Sequence, residues 1–82
     1  MNTREAVAAR IIELCKQRGM TLNALARESA VPPSTLKNMT NPNGGSRNPG
    51  IVTIKMLCDG LGISLQEFFS TPVFHNLEQE IQ

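Results

Sequence analysis

Residues 21–39 read TLNALARESAVPPSTLKNM, and the order of apolar, small and proline residues in this stretch decides the fold. Thr21 is a good N-cap, and Leu22, Leu25, Ala26 and Ser29 recur at the three- and four-residue spacing of one helix face. Val31 precedes Pro32, and a residue before proline is pushed out of the helical region, so this helix is short. Pro33 then suits the first position of a new helix, where a missing N–H leaves nothing unpaired. Across Pro33–Thr40 only Leu36 and Met39 are large and apolar, which leaves Ser34, Thr35, Lys37 and Asn38 facing outward. The stretch therefore predicts two short helices joined by a tight turn, with small Ala26 allowing a close crossing.

Working outward toward the N-terminus, Val7, Ile11, Leu14 and Ala8, Ile12, Cys15 lay two adjacent apolar rows along a helix over residues 4–18. Thr3 is its expected N-cap, Glu5 falls in the first turn, Lys16 and Arg18 in the last, and Gly19 stops it. Toward the C-terminus, residues 41–50 read NPNGGSRNPG, a loop by turn chemistry. A fourth helix is predicted over residues 51–61, with Ile51, Ile54, Leu57, Cys58 and Leu61 inward and Gly62 left-handed at its end. Ser64 caps a fifth over residues 65–69, with Glu67 completing a capping box. Beyond Pro72, the spacing of Phe74, Leu77 and Ile81 predicts one further amphipathic helix. No period-two strand pattern survives, so the fold class is all-α with one core.

At 82 residues and 9.0 kDa the chain is one small domain or a domain with a tail, too small for a deep catalytic cavity. With 40% hydrophobic residues and only three phenylalanines, the core must be aliphatic. The net charge of +1 hides a split. Residues 1–58 carry all eight Lys and Arg against Glu5, Glu13 and Glu28, a net of +5; residues 59–82 carry Asp59, Glu67, Glu78 and Glu80 with no Lys or Arg, a net of −4. Such asymmetry indicates a basic binding surface, with the acids expected away from it.

Catalytic and metal chemistry find little support. Cys15 and Cys58 lie 43 residues apart and there is one histidine, so no zinc spacing exists, and both cysteines read as small buried hydrophobes of a reducing compartment. His75 has no nucleophile and orienting carboxylate beside it, and Glu78 and Glu80 would fall on different sides of a helix. The glycine cluster lacks the Gly-Lys-Ser/Thr ending of a phosphate loop. No cofactor and no enzyme activity are expected. No secretory segment follows Met1 and no apolar run could span a bilayer, so the expected location is cytoplasmic.

Two helices and a three- or four-residue turn form the arrangement that places a recognition helix in the DNA major groove. With NPGIVTIKMLCDGLGISLQEFF following, the stretch resembles the Cro and phage-repressor-like helix-turn-helix regulators, the xenobiotic-response-element family, over about residues 4–69. Leu25, Ala26, Val31, Leu36 and the run from Pro49 through Leu57, Leu61, Gly62, Ile63, Ser64, Leu65 and Phe68 carry the resemblance. Three positions depart from the family: Leu22 where a phosphate-reaching glutamine is usual, Ala30 for the turn glycine, and Pro32 for the serine N-cap of the third helix.

The resemblance implies a compact five-helix bundle of the lambda-repressor-like type over residues 1–70, with residues 71–82 as an amphipathic tail. It assigns base reading to Pro33, Ser34, Thr35, Lys37 and Asn38. Lysine can donate to guanine, asparagine can pair with adenine, serine suits several bases, and the proline ring can touch a thymine methyl. Phosphates fall to Thr21 and Asn23 at the start of the second helix, to Asn41, Ser46, Arg47 and Asn48 in the loop, and to Thr53 and Lys55 in the fourth helix. The implied function is sequence-specific binding of double-stranded DNA by a transcriptional repressor, as a homodimer on paired half-sites. The alternative is a protein-interaction module such as an antitoxin, gripping a protein partner through residues 72–82.

Overall fold

The computed structural model describes residues 1–41 and 48–81, and its elements start and stop where local chemistry requires. α1 spans Thr3–Arg18, α2 Leu22–Ser29, α3 Pro33–Thr40, α4 Ile51–Leu61 and α5 Leu65–Phe68, and a 3-10 turn follows at Pro72–Phe74. Among the described residues there is no strand.

The cap of α1 is Asn2, not Thr3. Its side chain accepts from the Glu5 amide at 2.8 Å while Glu5 Oε1 accepts from the Asn2 amide at 2.9 Å. Only a cap at position 2 puts an acid three residues later, so the reciprocal box selects Asn2. Thr21 Oγ1 accepts from the Ala24 amide, and Ser64 Oγ accepts from the Glu67 amide, each at 3.0 Å. Helix α3 has no side-chain cap and starts on Pro33 alone.

The turn between α2 and α3 keeps its left-handed residue without glycine. Ala30 lies at φ 59° and ψ 26°, and the Val31 amide closes onto the Ala26 carbonyl at 3.1 Å. This satisfies an end carbonyl of α2 and turns the chain into α3.

One core joins the helices. Ile11 and Leu14 of α1, Leu25 and Ala26 of α2, Leu36 and Met39 of α3, Leu57 and Cys58 of α4, and Phe68 of α5 are all buried in it. Helix α4 lies against α2 so closely that a Cβ on Gly60 would stand 2.9 Å from Ser29 Cα. Ser29, itself buried, turns its hydroxyl back to the Leu25 carbonyl at 2.6 Å.

Three apolar expectations are corrected. Ile12 is 37% exposed because the stripe of α1 covered by the other helices is narrower than two full rows. Ile51 is 59% exposed: it is the first residue of α4, and side chains lean toward a helix N-terminus, here past the edge of the core. The expected helix after Pro72 is only the 3-10 turn, because Asn76 takes φ 58° and reverses the chain. Phe74 still packs against the core, with ring centroids 4.9 Å from Phe69 and 6.0 Å from Phe68, whereas Ile81 is exposed.

Candidate nucleic-acid interface

Helix α3 is divided cleanly by its neighbours. Leu36, Met39 and Thr40 are buried, whereas Pro33, Ser34, Thr35, Lys37 and Asn38 are all exposed. The Thr40 hydroxyl donates to the Leu36 carbonyl at 2.9 Å, so it is satisfied within the helix and faces inward. The exposed face of α3 thus offers a hydroxyl pair, an ammonium and a carboxamide along two turns.

A cleft of about 420 Å³ separates this face from the start of α4. Ser34, Thr35 and Asn38 form one wall, and Asn48, Gly50 and Thr53 stand on the other. The cap of α4 is Gly50, which has no side chain to fill the amides of the first turn. Those amides carry the positive end of the helix dipole, a natural place for an anionic oxygen.

The remaining expected phosphate residues are scattered. Thr21 and Asn23 are exposed at the start of α2, the Thr21 oxygen already serving as cap. Lys55 is exposed but paired with Asp59 one turn along α4. The Asn41 amide donates to the Asn38 carbonyl at 3.4 Å, closing α3. Ser46 and Arg47 lie outside the described residues.

Two arginines matter here although the sequence offers no motif for either. Arg4 Nη2 donates to the Asn38 carbonyl at 3.0 Å, tying the last turn of α3 to the start of α1. Arg10 is buried and caps α5: Nε donates to the Phe68 carbonyl at 2.8 Å and Nη2 to the Glu67 carbonyl at 3.0 Å, with Glu13 paired to Nη1 at 2.6 Å. Both arginines reach backbone carbonyls, whose approach depends on helix packing and leaves no side-chain pattern to read.

The acids are not all remote. Glu80 accepts from the Thr3 amide at 3.4 Å and stands in a second cleft beside Arg4, Asn48 and Pro49. The expectation that the C-terminal acids lie away from the basic face fails for this residue, because the reversal at Asn76 carries the chain back to α1, and for Asp59, which pairs with Lys55.

Among the described residues no cluster of His, Cys, Asp and Glu could hold a metal ion, and no helix is long and apolar enough to cross a membrane. Burial pushes the Cys15 and Cys58 thiols above their ordinary value, with Asp59 adding to the rise at Cys58 while Lys55 and Arg10 oppose it.

The family model of the Cro/C1-type HTH DNA-binding domain matches residues 10–72. The crystal structure of the prophage Lp1 protein 11 superposes with a TM-score of 0.77 at 33% identity, over 94% of this chain and 100% of that one. No curated protein matches the chain.

Proposed function

The chain belongs to the Cro/C1-type helix-turn-helix family of DNA-binding transcription regulators, and on that premise we propose that it is a phage-type repressor that reads the major groove with α3. The division of α3 carries this reading: every residue assigned to bases is exposed, and every other residue of that helix is buried. Ser34, Lys37 and Asn38 reach base edges, Pro33 and Thr35 meet the groove wall or a thymine methyl, and the cleft beside α4 receives backbone phosphate. Asn48, Thr53 and the first amides of α4 hold that phosphate; Thr21, Asn23, Asn41, Ser46, Arg47 and Lys55 add contacts along the strand. Repression follows from occupancy of the site, not from chemistry on the DNA.

Residues 1–70 form the DNA-binding unit and 71–82 the tail. The near-neutral net charge limits non-specific affinity, so two copies on paired half-sites supply the rest. The likeness to a prophage protein at 33% identity supports the phage-type reading.

Selection of bound duplexes from a random library by the purified protein tests the reading. It predicts enrichment of one motif with twofold symmetry, and affinity that falls steeply with salt. A library returned without enrichment would reject sequence-specific regulation, and a protein that sediments as a monomer on the selected duplex would reject the dimer.

A further inference from the structure

Beyond Phe74 the chain returns to the beginning of α1. After the left-handed Asn76, the Glu78 amide donates to the Met1 carbonyl at 3.2 Å, the Glu78 carboxylate lies 3.2 Å from the Met1 ammonium, and Glu80 Oε2 accepts from the Thr3 amide. Glu80 enters a cleft of about 360 Å³ with Arg4, Val7, Asn48, Pro49 and Ile54. Asn48 and Pro49 are also walls of the cleft beside α3, and Arg4 is bonded to the carbonyl of Asn38. The two clefts therefore share Asn48 and Pro49, and Glu80 lines the second of them.

We propose that residues 76–81 are a built-in competitor of the DNA backbone, whose carboxylates at Glu78 and Glu80 leave the start of α1 when a duplex binds. The inference rests on the DNA-binding reading above. The Thr3 amide at the start of α1, which Glu80 occupies, attracts a carboxylate or a phosphate for the same reason, and one anion excludes the other. Even without direct overlap, the Glu80 carboxylate in the cleft that Asn48 lines repels phosphates approaching Asn48, since screening acts over a Debye length of about 8–10 Å.

The contact is built to exchange. None of residues 75–81 is buried, and the Glu78 side chain is 64% exposed, so little apolar area holds the segment. Phe74, by contrast, is packed on the core, which places the hinge just after it.

The test uses the full chain and a mixed-sequence DNA duplex at low salt. The double variant Glu78→Gln/Glu80→Gln is expected to bind about three- to tenfold tighter than the parent. Glu67→Gln, which removes an acid on α5, should leave affinity unchanged. In the parent, the Glu78 amide should lose its protection from hydrogen exchange when duplex is added. Equal tightening by Glu67→Gln, or a Glu78 amide that stays protected in the complex, overturns the competitor while leaving DNA binding intact. Failure of the parent and of every variant to bind duplex, with the Glu78 amide still protected, overturns the DNA-binding reading and the inference with it.

Discussion

Ala30 holds a left-handed conformation that costs a residue with a Cβ about 1–2 kcal/mol, at the turn on which the α2–α3 angle depends. Ala30→Gly relieves that strain and adds back some unfolded-state entropy. Urea unfolding should show a gain of about 0.5–1 kcal/mol with the slope unchanged. The same turn is legible in the sequence because Val31 and Pro32 leave the chain few alternatives. On the exposed face of α3, Lys37→Ala and Asn38→Ala should each cost about 1–3 kcal/mol of discrimination between the selected motif and a variant base pair, measured by competition binding. Thermal stability should hardly change, since neither side chain is buried.

At the scale of elements, the caps carry most of the information. Thr21, Ser64, Gly19 and Gly62 act at the ends of their helices as the sequence predicts, because a cap is a contact over three residues and needs no tertiary partner. The tail is the opposite case. Phe74, Leu77 and Ile81 have helical spacing, yet spacing only states which residues would share a face if a helix formed. Phe74 instead packs beside Phe69 and Phe68, and the segment after it bonds to Met1 and Thr3. Short α5 depends on a distant residue in the same way, since Arg10 fills its terminal carbonyls. Arg10→Met keeps the length of the side chain and removes those bonds. The expected loss is about 1–3 kcal/mol in chemical unfolding, with the α5 amides exchanging first.

For the molecule as a whole, both cysteines lie in the single core, and burial raises their thiol pKa values from 9.0. The unfolded chain gives up these protons at lower pH than the folded one. Their contribution to stability is therefore full below the unfolded value near 9 and declines as pH rises toward the folded values. A melting midpoint that falls from neutral pH to pH 10 should fall less steeply in the Cys15→Ala/Cys58→Ala variant, compared with its own value at pH 7. The order of α1 to α5, the turn and the outward residues of α3 follow from sequence alone, because each is set by periodicity, proline geometry and caps within a few residues. Tertiary structure decides which exposed residues share a cleft. Ser34, Thr35 and Asn38 face Asn48 and Thr53 only because α4 docks on α2 across the gap at Gly60. It also decides where the charge goes: folding sets Glu80 beside Arg4, a juxtaposition across 76 positions that no local pattern encodes.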